Sequence, residues 1–238
     1  AARSARRRTA VLKGTPASRG IAFGRISFLK RIPTSPEKRQ VRDAKAEVER
    51  FEKARVHAIS QLGTLYEVSL EKIGEQNAVV FQIHQMMLED PDYVSSIHEL
   101  ITKEKVNAEY AVDQAGEQFS AMLAAMDDPY MQARAGDVKD VTGRILNNLT
   151  GVVEGGIDSQ VPVILAAADL TPSETIQLDK SKILAIATQG GSGNSHTAIL
   201  ARTMGIPTVC GLGASFNESY HGKQAYIVGE TGQVIFDP

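Results

Sequence analysis

The chain has 238 residues, 42% of them hydrophobic, with a formal net charge of -2; it can bury a core and lacks the Lys/Arg excess that marks a nucleic-acid binder. Trp is absent and aromatics reach only 5%, too few for a base-stacking platform, and no apolar run approaches the roughly 20 residues of a membrane-spanning helix. The basic start, AARSARRR, is not followed by the apolar stretch of a signal peptide. The expectation is a cytoplasmic protein with neither a nucleic-acid nor a membrane partner.

Residues 1–10 read as a tail or linker, since Arg6, Arg7 and Arg8 follow small polar residues without a hydrophobic period. The segment GTPASRG reads as a loop leading into an apolar strand from Ile21 to Leu29. From about 36 to 149 the texture turns long, charged and helical. Val41, Ala44, Val48, Phe51 and Ile59 share one face of a long first helix. A second helix covers Glu75 to Glu89; a third starts at Asp90-Pro91, where Asp suits the N-cap and Pro the first turn. A fourth follows Asn107, and a fifth runs from about Tyr130 to Leu149 and stops at Gly151. Short loops between helices predict an antiparallel bundle. Beyond Gly151, the β-branched runs VPVILAAA, KILAIAT, PTVCGL, QAYIVGE and QVIFD read as strands, with helices after Thr171 and Ser195. The early strand is expected to join this later sheet. The fold class is therefore an α/β domain, 11–35 with 150–238, carrying an inserted all-helical lobe, 36–149. The single cysteine, Cys210, excludes an internal disulfide and reads as a small buried hydrophobe.

The segment GGSGNSHTAILARTMG concentrates the chemistry. A Gly-rich loop follows a strand, Ser195 is placed to cap, His196 falls in the first turn, and an amphipathic helix stops at Gly205. Unpaired N–H groups and the macrodipole at a helix start favour an anion, and Gly190, Gly191 and Gly193 allow close backbone approach. A neutral imidazole nitrogen is a nucleophile near pH 7, suited to carrying a labile phosphoryl group. Its other nitrogen needs a fixed partner, for which Thr171, Ser173 and Thr175 of TPSET offer hydroxyls. By itself a helix-start histidine is more often a cap or a surface residue, and a Gly-rich loop alone is weak evidence. Carboxylates lie mainly on helix faces beside Lys and Arg, and no clustered spacing implies a metal site.

The segments GTPASRGIAFG, AADLTPSETIQLD and GNSHTAILARTMGIPTVCG occur in an order and form that resemble the amino-terminal domain of Enzyme I of the bacterial phosphoenolpyruvate:sugar phosphotransferase system. VFQIHQMMLEDPDY and QARAGDVKDVTGRILNNL extend the resemblance through the helical block, so it covers nearly everything from Val11 onward. It implies an α/β phosphohistidine domain in which His196 accepts phosphate through Nε2, Thr175 bonds the other ring nitrogen, and Gly191, Gly193, Ser195 and Thr197 frame the phosphate. It also implies that the helical lobe binds HPr or an HPr-like phosphocarrier protein through Glu75, His84, Met87, Tyr93, Leu123 and Arg134. Met87 and Leu123 lie on apolar stripes equally suited to a core, and His84 equally to a satisfied histidine at the bundle surface. His57, His98 and His221 have no supporting motif and read as surface residues. Phosphoenolpyruvate and magnesium would belong to a separate domain, so no cofactor is expected here.

The same resemblance extends to the Enzyme I-like domain of a multiphosphoryl transfer protein, such as the phosphotransferase subunit of dihydroxyacetone kinase, and the arginine-rich start leans slightly that way. The swivelling domain of a pyruvate phosphate dikinase is disfavoured by the helical insertion, and a binding-only module by the intact TPSET and SHT. One departure stands out. Family members often carry Arg and Thr where this chain has Gly193 and Asn194, and Arg202, a turn and a half along, is at most a weak replacement for the missing cation. Hinges are expected at 31–35 and 150–156.

Overall fold

A computed structural model describes residues 10–29, 35–152 and 159–236. Most of both expected hinges lies outside the described residues. The chain divides into two compact units, Ala1–Arg31 with Gly156–Pro238, and Ile32–Gly155.

The second unit holds α1 (Ala44–Ile73), α2 (Glu75–Glu89), α3 (Pro91–Glu104), α4 (Ala108–Ala124) and α5 (Pro129–Thr150). Their boundaries follow local chemistry. Asp43, Asp90 and Asp128 each cap a start by accepting first-turn N–H groups, and Gly151, at φ 72°, closes α5 in the left-handed region. The buried stripe of α1 is Phe51, Ala54, Ala58, Leu62, Leu65, Ser69 and Ile73. Of the expected face only Phe51 belongs to it: Val41 precedes the N-cap, and its N–H donates to the Lys105 carbonyl at 2.8 Å. Helices α4 and α5 cross closely at Gly116, where an added Cβ would lie 2.5 Å from the Thr142 side chain.

A polar girdle ties α1 to α4. Arg50 bonds Glu47 and the buried Glu109, and Glu47 accepts the Ala108 N–H at 2.7 Å, capping α4 from outside. Burial pushes the Glu109 carboxyl up, but the hydrogen bonds from Arg50, a backbone N–H and Asn107, with the Arg50 charge, together more than offset it, and the group rests below its ordinary value. A depressed carboxylate stabilises the fold above its unfolded value of about 4.3, and that contribution is lost as pH falls through the folded value. Glu109→Gln is therefore expected to cost about 2 kcal/mol at pH 7 and much less at pH 3. Urea unfolding at the two pH values checks this; an equal cost at both would contradict it.

The first unit is an eight-stranded mixed sheet in the order β1-β8-β7-β3-β4-β5-β6-β2. Its strands are β1 (Val11–Lys13), β2 (Thr15–Ser18), β3 (Ile21–Phe28), β4 (Val163–Ala167), β5 (Ile183–Thr188), β6 (Thr208–Cys210), β7 (Gln224–Val228) and β8 (Gln233–Phe236). The early strand β3 joins the later sheet, parallel to β4 and antiparallel to β7. Strands β3 to β6 run parallel, and β4 is buried at every position, as expected of a strand covered on both faces. The reading of GTPASRG as a loop is corrected. Thr15–Ser18 is a strand pairing antiparallel with β6, and Pro16 is tolerated because β2 occupies one end of the order, where a missing N–H costs no ladder bond. Strands β1 and β2 stand at opposite ends of the order yet are separated only by Gly14. The sheet must therefore curl back on itself. Ile26, Ile164, Ala185, Ala187, Val209, Phe216, Ile227 and Val234 fill its core.

Candidate functional site

Two helices begin just beyond the carboxyl ends of neighbouring parallel strands: α6 (Pro172–Ile176) after β4 and α7 (His196–Met204) after β5. In an α/β layer that crevice is where ligands are received. α6 starts with a reciprocal box in which Thr171 Oγ1 accepts the Glu174 N–H at 3.2 Å and the Glu174 carboxylate accepts the Thr171 N–H at 2.9 Å. Thr175 is fully buried, and its hydroxyl donates to the Thr171 carbonyl at 2.9 Å. With its proton so committed, Thr175 Oγ1 can only accept, and an imidazole N–H is a suitable donor.

The loop into α7 is tied at its root. The Gly190 N–H donates to the Ala168 carbonyl, and the Gly190 carbonyl accepts the Gly211 N–H, both at 2.9 Å. Gly191 has φ 86°, in the left-handed region that favours glycine. Ser192 organises a tight turn, its Oγ accepting the Asn194 N–H at 3.3 Å and its carbonyl the Ser195 N–H at 3.0 Å. Ser195 is the N-cap of α7, with Oγ accepting the Ala198 N–H at 3.3 Å. His196 is the first helical residue and is exposed. Thr197 is buried instead, and its hydroxyl donates to the Leu170 carbonyl at 2.9 Å. It locks the start of α7 to the approach of α6, so its side chain holds the helix rather than facing a phosphate.

Arg202 reaches back to this loop, donating through Nη1 to the carbonyls of Gly193 at 2.6 Å and Ala17 at 2.9 Å. Cys210 lies beneath the loop, packed with Ala17 and Ala198. Burial pushes its thiol up, which disfavours the reactive thiolate.

In the helical unit the six expected contact residues separate by exposure. Glu75 is exposed at the start of α2, and Met87, Leu123 and Arg134 are half-buried. Arg134 pairs with Asp137 at 2.9 Å, donates to the Tyr130 hydroxyl at 2.7 Å and lies over the Tyr130 ring. His84 and Tyr93 are corrected as surface contacts. His84 is 0% exposed, with Nε2 3.0 Å from Asp137 and Nδ1 3.6 Å from Asp140. Tyr93 is 4% exposed, bonds Thr142 at 2.8 Å, and its phenol is pushed up to about 12 by burial. Both stand on buried stripes, Phe81-His84-Leu88 and Tyr93-Ile97-Ile101. That spacing was the signal for interior placement. The structure adds apolar residues that the sequence reading passed over: Met86, 68% exposed, and Tyr130, 61%, with Val79 and Met122 also on the surface. Glu75, Val79, Gln82 and Met86 line one exposed stripe of α2.

A family described as "PEP-utilising enzyme, N-terminal" matches residues 13–134, and one described as "PEP-utilising enzyme, mobile domain" matches 160–232. Together the two matches place the chain in the family of phosphoenolpyruvate-utilising enzymes. Among curated proteins, the phosphoenolpyruvate-protein phosphotransferases of Bacillus sp. (strain S) and Geobacillus stearothermophilus are 40% and 39% identical over 232 residues. Each match spans 97% of this chain but 40% of the relative. A solution structure of Enzyme I (nEIt) matches with a TM-score of 0.72 at 33% identity, covering 95% of this chain and 93% of that one. The chain belongs to the Enzyme I family, in which it corresponds to the amino-terminal domain.

Proposed function

We propose that the chain is a phosphoryl carrier of the phosphotransferase system, in which His196 exchanges phosphate reversibly with the histidine of an HPr-like protein. The observation that carries this reading is an exposed His196 in the first turn of a capped helix, beyond a glycine loop at the carboxyl end of parallel strands. The Nε2 lone pair of His196 attacks phosphorus; the bond from phosphorus to the partner's histidine nitrogen breaks, and that nitrogen recovers its electron pair. A hydrogen bond from Nδ1–H to Thr175 keeps the proton off Nε2, so no net proton transfer is needed. Gly191, Gly193 and Ser195 shape the backbone around the phosphate.

The α/β lobe, 11–35 with 150–238, carries the phosphate, and the helical lobe, 36–149, receives the partner. Glu75, Met87, Leu123 and Arg134 are the contacts from the original set, joined by Val79, Met86, Met122 and Tyr130, a mixture of apolar and charged groups suited to a transient interface. His84 and Tyr93 hold α5 and Arg134 from beneath. Phosphoenolpyruvate and magnesium belong to a separate domain, and the setting is cytoplasmic. The matched relatives favour Enzyme I as the parent over the dihydroxyacetone kinase relay.

The test is incubation with phosphorylated HPr, followed by mass mapping of acid-labile phosphate. Label on His196 supports the carrier; a folded protein that takes no label from HPr or from an HPr-like partner refutes it. Thr175→Val should slow labelling about 10- to 100-fold, the usual cost of losing an orienting hydrogen bond, while Thr175→Ser retains most of the rate. Quench-flow labelling measures this, and a wild-type rate in Thr175→Val would remove Thr175 from the mechanism.

A further inference from the structure

The phosphate loop has a mechanical tie outside its own sequence. Nη1 of Arg202 donates to two backbone carbonyls, Gly193 at 2.6 Å and Ala17 at 2.9 Å. One nitrogen with two hydrogens serves one oxygen from the loop and one from β2. The loop lies directly on that strand, because a Cβ at Gly193 would meet the Pro16 carbonyl oxygen at 3.3 Å. Backbone oxygens from both segments thus crowd one spot, and the guanidinium compensates their partial negative charge.

We infer that Arg202 is a positioning residue that clamps the phosphate loop to β2, and not a direct phosphate ligand; the inference rests on the carrier reading given above. Its bond directs the Gly193 carbonyl at the guanidinium, where its negative end is neutralised. Without the clamp that carbonyl is free to turn toward a phosphorylated His196 and repel it. Gly193 and Asn194 stand where family members often carry a cation. Arg202 does return a cation to the loop, but it spends Nη1 on the backbone. Ala17, Ala198 and Cys210 pack as a buried apolar cluster beneath, so the loop can loosen while the fold persists.

Two variants and two readouts test this. On protein carrying no phosphate, Arg202→Met should speed hydrogen exchange of the Asn194 and Ser195 amides at least ~10-fold, since both are bonded within the loop turn. The same variant should slow phosphorylation of His196 about 10- to 100-fold, as misplacement by a fraction of an ångström does. Arg202→Lys, whose ammonium can reach carbonyls but lacks the fork, should fall between wild type and Met in both. Unchanged exchange in Arg202→Met overturns the clamp. Faster exchange with an unchanged labelling rate overturns its role in transfer. Full rescue of labelling by Lys with exchange still raised means that Arg202 acts by charge on the phosphate, which also overturns it. The exchange arm needs no phosphate, so it decides the clamp even if wild-type protein took no label and the carrier reading failed.

Discussion

His196→Ala is expected to lower the rate of labelling by phosphorylated HPr roughly 10⁴-fold or more, to background, as loss of a nucleophile does in other group-transfer enzymes. The fold should not notice. His196 is exposed at the surface end of α7, and the cap belongs to Ser195, so the change should alter stability by less than about 0.5 kcal/mol. Mapping matters because the chain has five histidines. His84 is enclosed, His98 pairs with Glu52 at 2.7 Å, and His221 Nδ1 accepts the Phe28 N–H at 3.1 Å. His57 is exposed on α1, in the helical unit. Acid-labile phosphate persisting in His196→Ala would move the carrier to one of these and dismantle the proposed site.

Gly14→Ala is expected to destabilise the α/β unit strongly. An added Cβ would sit 2.3 Å from the Cys210 carbonyl oxygen and 2.9 Å from Val209 Cγ1, and the first of these is backbone, which no rotamer change relieves. Gly14 is also the one residue joining β1 and β2 at opposite ends of the strand order. Relief therefore requires either parting β2 from β6 or opening the curled sheet. The cost should reach about 3 kcal/mol, a fall in Tm on the order of 10 °C. Amides of β2 and β6 should lose protection first, and labelling of His196 should slow because the loop rests on β2. An unchanged Tm would mean that the sheet has more slack at this joint than its geometry indicates.

Whatever rests on neighbours in the chain could be read without coordinates. Asp90-Pro91 starts α3, Gly151 stops α5 and Ser195 caps α7, because capping and left-handed closure involve residues within four positions of each other. His196 in a helix's first turn behind a glycine loop follows from the same locality, as does the alternation of strands and helices after Gly151. The early strand's membership of the later sheet was legible too, since an isolated apolar strand must find partners.

Tertiary structure decided the rest. Thr15–Ser18 looks like a turn by its composition and becomes a strand only because β6 offers it an edge. The apolar stripes turn His84 and Tyr93 inward, but only the fold supplies Asp137 and Thr142, some fifty positions away, to satisfy their polar atoms there. Arg202 looked remote from the loop along the helix, and its long side chain closes the gap to Gly193. In each case the deciding partner is distant in sequence: periodicity and caps record what a residue needs, and only the folded chain shows which remote group meets that need.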